Sequence, residues 1–436
     1  MSIRLSQSSA RLLFFFGVSA VYAGLIVKWS GLNESPIWDE QNYWKASLFF
    51  SNHPLPTLQD LNNYGELNTP LPFIVFGAIE RWFHLGIAAG RWLNVLLSLC
   101  IVSTIGWPRQ AKKNNRQPTD KRAAHMLLCL AGLLLCPYFL FVSGRLYTDI
   151  MACFWVLVGY MGYIHKRHAL SNLAFILAIA SRQYMLAFPV AIATYELAII
   201  GTKMKNAVID CEQGDSLIAK LRQCFIDLDW KIAMAAVWPC LAATTSALSI
   251  IGWIYIFGGL TPSTAAVHSI QTDNPASWAV TQRTFWSVRP GVALNFLAYV
   301  GLYIVLPEWL LFQPAGRLRS LKQRWRSAIS IAAVLLLLFL YFPPLVKNHG
   351  ILARLIYDLP AGFVQLAPLY GLALLSCLRF SCFEPLTLMV VFNSSIVLKA
   401  HPWDKYVLPL VVTFWYAKSV GLTDKSSQFF PELFQR

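Results

Sequence analysis

The run LLFFFGVSAVYAGLIVKW, Leu12–Trp29, is followed closely by PIWDEQNYWKA, Pro36–Ala46. The first piece is apolar over a length close to the ~20 residues a helix needs to cross the hydrocarbon core. In lipid every backbone N–H and C=O must be satisfied within the segment, so such a run is a helix. It has no small-residue cleavage signal, which makes it a retained first span rather than a removed signal peptide. The second piece is polar. It sets two adjacent carboxylates, Asp39 and Glu40, beside Trp38, Tyr43 and Trp44. An acidic pair just past a membrane helix needs a reason.

The rest of the chain follows the first run. Of 436 residues, 56% are hydrophobic, 14% aromatic and only 13% charged. Soluble proteins carry about 25% charged residues, so the deficit makes the bilayer the solvent. The expectation is an all-α polytopic membrane protein, one domain over residues 1–436. The net charge of +15 would suggest nucleic acid in a soluble protein. Here the excess sits in inter-helix loops, above all RQAKKNNRQPTDKR, Arg109–Arg122. That is the positive-inside pattern, with anionic membrane lipid as its partner and no nucleic acid. Cysteines fall mostly inside apolar runs as small buried hydrophobes, with no metal-ligand spacing and no disulfide framework.

Alternating apolar runs and basic loops give about 12 spans with both termini inside. Residues 31–86 then form an external loop. Within it Leu71–Leu85 carries Glu80, Arg81 and His84, charges that are costly at mid-bilayer, so it reads as an interfacial helix. Residues 202–231 are a cytoplasmic loop whose Leu217, Leu221, Phe225 and Leu228 recur at helical spacing. Residues 258–290 are a second external loop. Ala123–Val142 reads as one outward span.

This topology collects the unusual polar residues on the outer face. Arg145, Asp149, Arg182, Gln183, Lys347, Arg354, His401, Asp404 and Lys405 join Asp39 and Glu40 there. Charges at the ends of spans either pair or line a wet cavity. Transfer of a sugar from a lipid phosphate needs a base for the acceptor hydroxyl and cations for the phosphate charge. One external carboxylate with a few basic residues is a sufficient set. Asp39 or Glu40 supplies the base, and adjacent helix residues point ~100° apart, so the two do not share one role. Arg182, Lys347, Arg354 and Lys405 are candidate phosphate clamps. Trp38, Tyr43 and Trp44 are candidate sugar contacts. The plainer reading of each group is a solvated helix start, a cap or an ordinary short loop.

Six motifs in order carry a family resemblance: PIWDE (Pro36–Glu40), NTPLP (Asn68–Pro72), GRWLNVLLS (Gly90–Ser98), YTD (Tyr147–Asp149), SRQ (Ser181–Gln183) and HPWDKY (His401–Tyr406). Together they resemble the GT-C class of polyprenyl-phosphate-sugar-dependent glycosyltransferases. Within it they are most similar to the α-1,2-glucosyltransferases that add the terminal glucose to the lipid-linked N-glycan precursor. The family's Arg-Gln-Thr-Asn is Arg-Gln-Tyr-Met here, and its Asp-Asn-Arg-His-Tyr after His-Pro becomes Trp-Asp-Lys-Tyr. The resemblance implies a GT-C-like bundle and an inverting transfer of a hexose, glucose first. The donor would be a polyprenyl or dolichyl phosphate and the acceptor a lipid-linked or cell-surface glycan. It implies Asp39 as base with Glu40 supporting, no nucleotide sugar, no cofactor and no metal. The divergence of the motifs favours a bacterial inner membrane with a periplasmic site over the ER membrane with a lumenal one. The rival reading is a lipid or glycan transporter or flippase. Such folds favour internal repeats and mid-membrane charges, neither of which is visible in this chain.

Overall fold

The computed structural model describes residues 7–29, 32, 34–107, 119–210, 230–263, 283, 286–312, 325–346 and 350–423. Every regular element among them is helical. Four helices are long and apolar enough to cross a membrane: Ile87–Gly106, Gln183–Met204, Val237–Phe257 and Pro290–Phe312. Counting one bent pair makes five, against the expected twelve or so, because six further apolar helices run only 10–17 residues among the described residues. A 14-residue helix such as His168–Ser181 is ~21 Å long at 1.5 Å per residue, short of the ~30 Å hydrocarbon core.

The first helix, α1, is Gln7–Trp29. After it, α2 (Asp39–Asn52) and α4 (Leu71–Phe83) pair closely, with α3 (Asp60–Asn63) between them. Gly77 permits the contact: a Cβ there would stand 2.5 Å from the Ser47 carbonyl oxygen and 2.8 Å from the Ser51 nitrogen. The charges of α4 are used at its end. Arg81 Nη1 donates to the Ser51 carbonyl at 3.1 Å, and Glu80 Oε2 accepts the Gly86 N–H at 2.7 Å.

α5 is Ile87–Gly106. The expected span Ala123–Val142 is broken: α6 (Thr119–Leu134) and α7 (Pro137–Ser143) meet at 75°. Pro137 has no N–H for a continuing helix and forces Cys136 out of the helical region, to φ −86°, ψ 103°. α8 (Asp149–Ile164) and α9 (His168–Ser181) form the most extensive helix pair, where Ser171 Oγ donates to the Gly159 carbonyl at 2.8 Å. After a short 3₁₀ turn, α10 (Ala187–Asp210) runs into the stretch expected to be loop. α11 is Trp230–Phe257. The expected amphipathic helix around Leu217–Leu228 lies outside the described residues.

The C-terminal half contains α12 (Pro290–Val300), a π-helical turn at Gly301–Val305 and α13 (Leu306–Phe312). Then come α14 (Trp325–Tyr341), the short α15 (Ile351–Tyr357), α16 (Phe363–Arg379), α17 (Pro385–Ile396) and α18 (Leu408–Ser419). Every side chain from Leu408 to Lys418 is buried. A helix apolar on all faces is a core element, and α18 packs against α5, α6 and α8. At its far end Lys418 Nζ lies 3.2 Å from Glu308, and Glu308 also holds Arg379 at 2.6 Å. This buried set ties α13, α16 and α18 together. At the near end, just before Leu408, stand Asp404 and Lys405.

Candidate active site

The chain enters α2 through a turn that Trp38 holds at φ 51°, ψ −129°, with Glu40 N–H bonded to the Ile37 carbonyl at 3.1 Å. Those angles belong to the second residue of a type II′ turn, a place that glycine normally fills. The Trp38 side chain is 58% exposed and its ring lies 5.7 Å from that of Phe141.

The turn sends the two carboxylates apart. Glu40 points inward and is fully buried. Arg91 grips it with two bonds, Nε to Oε1 at 2.7 Å and Nη2 to Oε2 at 2.8 Å. The Leu146 N–H adds a third at 2.7 Å, and Arg145 Nη1 stands 3.7 Å away. Arg91 also donates to the carbonyls of Leu32 and Glu34, each at 2.7 Å, closing the loop before α2 onto α5. Asp39 points outward. Its side chain is 35% exposed and meets Lys405 Nζ at 3.0 Å. Of the two acids, Asp39 keeps oxygen lone pairs open to a ligand.

Lys405 lies 3.6 Å above the centre of the Trp403 ring and 5.1 Å from that of Tyr147. Its neighbour Asp404 is fully buried. Asp404 Oδ2 accepts the Tyr303 hydroxyl at 2.8 Å and the Ile351 N–H at 3.0 Å, so it fastens the start of α15. Burial pushes its carboxyl up, and hydrogen bonds from Tyr138 and Tyr303 oppose that shift. Gly350, at φ +96°, leaves the room: a Cβ there would collide with Asp404 Oδ1.

A second ion pair lies beside the first. Arg182 Nη1 is 2.9 Å from Asp149 Oδ1. Arg182 also donates to Thr148 Oγ1 at 2.7 Å, to the Tyr43 hydroxyl at 3.2 Å and to the Tyr184 hydroxyl at 3.3 Å. Tyr43 is therefore a buried part of the frame, its ring 5.6 Å from those of Phe73 and Tyr147. Gln183 Nε2 donates to the Leu67 carbonyl at 2.7 Å and holds the segment between α3 and α4 against the site.

Arg145 is buried, with Nη2 on Glu34 Oε2 at 2.7 Å. Its Nε and Nη1, the Tyr147 hydroxyl and Asp149 Oδ2 are buried without a hydrogen-bond partner among the described residues. Buried polar atoms are nearly always satisfied, so each of these is a group left for water or a polar ligand to satisfy.

The structure thus brings Asp39, Glu40, Tyr43, Arg145, Asp149, Arg182, Asp404 and Lys405 together. Gln183 supports them from behind, and His401 is half-buried in the loop leading to Asp404. Arg354 is exposed on α15, the helix that Asp404 fastens. Trp44 is half-buried against the apolar core. Lys347 lies outside the described residues. Arg91 and Glu34 were not among the expected site residues. Arg91 was findable: an arginine inside an apolar span must have a buried acidic partner. Glu34 stands in a polar loop, where sequence carries no such signal. Among the described residues no three His, Cys, Asp or Glu side chains gather as a metal site.

The family model described as the DIE2/ALG10 family matches residues 73–339, more than half of the chain. The match takes in Arg91, Arg145, Asp149, Arg182 and Gln183; Asp39, Glu66, Asp404 and Lys405 fall outside it. No curated protein and no solved structure matches the chain.

Proposed function

Since the chain belongs to the DIE2/ALG10 family, membrane α-1,2-glucosyltransferases of the GT-C type in the N-glycan pathway, we propose that it moves glucose from a polyprenyl or dolichyl phosphate to a lipid-linked glycan. Asp39 accepts the proton of the acceptor hydroxyl. The acceptor oxygen attacks the anomeric carbon from the side opposite the phosphate, and the configuration inverts. The bond between that carbon and the phosphate oxygen breaks, its electron pair leaving with the phosphate. Lys405, exposed Arg354 and Arg145, whose Nε and Nη1 make no hydrogen bond among the described residues, are the cations for the phosphate charge. The proposed chemistry calls for no metal and no other cofactor. The site faces the periplasm or lumen.

The observation that carries this reading is the contrast between the acidic neighbours. Glu40 is buried and saturated, while Asp39 is accessible and held by one lysine. A general base needs open lone pairs within reach of the proton it takes.

The test uses purified protein in lipid nanodiscs, given polyprenyl-phosphate glucose and a lipid-linked glycan acceptor. Wild type transfers glucose, and Asp39→Asn transfers at least ~100-fold more slowly. Equal rates would remove Asp39 as the base. Movement of the donor across vesicles without transfer would make the protein a transporter.

A further inference from the structure

The ion pair of Glu34 and Arg145 joins an exposed partner to a buried one. Arg145 Nη2 lies 2.7 Å from Glu34 Oε2, and the arginine side chain is 6% exposed against 65% for the carboxylate. A guanidinium has five N–H donors, and Arg145 leaves most of them unused. Its Nε and Nη1 make no hydrogen bond among the described residues, and Nη1 stands 3.7 Å from Glu40. Glu40 cannot take the place of Glu34, because Arg91 and the Leu146 N–H already hold both its oxygens.

The backbone on both sides of the pair is fixed. Arg91 Nη1 donates to the carbonyls of Leu32 and Glu34, each at 2.7 Å. Asn94 Nδ2 donates to the Arg145 carbonyl at 2.7 Å, and the guanidinium lies 5.1 Å over the Phe141 ring. That ring is 5.7 Å from Trp38, the neighbour of Asp39. It is 5.8 Å from Tyr147, whose ring lies 5.1 Å from Lys405 Nζ. Arg145 thus belongs to the aromatic wall that seats Asp39 and Lys405. Rotation of the Glu34 side chain alone carries its carboxylate into water. Magnitudes decide which acid yields. An exposed ion pair is worth at most about fivefold in an equilibrium constant, whereas breaking the buried Glu40–Arg91 pair costs at least about a hundredfold. A buried cation left alone is costly as well, so Arg145 releases Glu34 only in exchange for another anion.

We propose that Glu34 is a specificity-determining residue of this site: its carboxylate occupies the anion position on Arg145 and gives it up to a phosphate oxygen of the lipid-phosphate sugar. The inference rests on the transferase reading above. No covalent bond changes in the exchange. The donor is a phosphodiester with a single negative charge, and the lipid phosphate left after transfer is a monoester carrying about two near neutral pH. The phosphate therefore reaches its full charge while it lies on Arg145. A carboxylate that competes for the same guanidinium limits how tightly the spent lipid phosphate is held, and so speeds its release.

The test measures binding of short-chain polyprenyl phosphate to full-length protein in nanodiscs, by microscale thermophoresis near neutral pH. Glu34→Gln keeps the shape of an exposed side chain and removes its charge. It binds polyprenyl phosphate up to about fivefold more tightly than wild type. The gain is smaller for polyprenyl-phosphate glucose, whose phosphate carries less charge. Polyprenol, which has no phosphate, binds both proteins equally. In Arg145→Gln the further change Glu34→Gln has no effect, because the contested cation is gone. Should Arg145→Gln not fold, the comparison with polyprenol decides. Unchanged or weaker binding of polyprenyl phosphate by Glu34→Gln overturns the assignment. A gain that persists in Arg145→Gln, or that extends to polyprenol, overturns it too. If wild type binds polyprenyl phosphate but transfers no glucose, the transferase reading falls while these affinities still decide the exchange on Arg145. No binding of polyprenyl phosphate by folded wild type removes both.

Discussion

Lys405 Nζ lies 3.0 Å from Asp39 Oδ2 although 366 positions separate them in the chain. The pair joins the turn before α2 to the segment that enters α18, a helix buried along most of its length. Because Asp39 is partly exposed, the pair contributes little to stability, roughly 0–1 kcal/mol. Its consequence is geometric: the ammonium, itself seated on Trp403, fixes the direction of the carboxylate. Lys405→Met is expected to leave the unfolding temperature nearly unchanged and to lower kcat by about ten- to a hundredfold. Lys405→Arg should recover part of the loss. In a double-mutant cycle Lys405→Met should cost less in Asp39→Asn than in wild type, because only its contact with the phosphate remains to be lost; fully additive losses would mean that the lysine does not orient Asp39.

Asp39 and Glu40 should separate by kind of defect. Breaking a buried ion pair by removing one partner costs about 3–5 kcal/mol, because the remaining charge stays desolvated. Arg91→Met therefore lowers the unfolding temperature sharply and reduces folded yield, and Glu40→Gln does so to a smaller degree. Asp39→Asn leaves buried Lys405 only an amide oxygen to donate to, so it costs roughly 1–2 kcal/mol, less than Arg91→Met, and loses activity. Thermal unfolding in detergent distinguishes these outcomes, and a stable Arg91→Met protein would contradict the account of Glu40 as a structural anchor.

Trp38 occupies a backbone region where a side chain costs about 1–3 kcal/mol. Trp38→Gly removes that strain and the exposed ring together; Trp38→Ala removes the ring and keeps the strain. Trp38→Gly should therefore be more stable than Trp38→Ala. If the ring contacts the sugar, both raise KM for the donor to a similar extent. A difference in stability with unchanged KM would confine Trp38 to the turn.

Gly350 is the counterpart on the other side of the site. Its φ of +96° and the absence of space for a Cβ beside Asp404 make Gly350→Ala a test of the clamp on α15. It should cost at least ~1 kcal/mol and displace Asp404, and with it Lys405 and Arg354. Donor affinity then falls with no change made to a charged residue. Unaltered affinity would separate α15 from the donor site.

Much of the architecture was legible because the bilayer leaves few choices. Unsatisfied backbone groups are so costly in lipid that apolar runs such as Ile87–Gly106 must be helices, with ends where polarity returns. The break before Pro137 was also legible in principle, since proline cannot continue the hydrogen-bond ladder. The acidic pair after α1 and the family's motifs were visible as local patterns. The local sequence Asp-Glu could not say which acid is saturated and which is open. That depends on Arg91, Leu146 and Lys405, brought together from three distant segments. Hydropathy is additive along a chain, so sequence determined the helices. Electrostatic environment depends on distance in space, so only the tertiary structure decided what each charge is for.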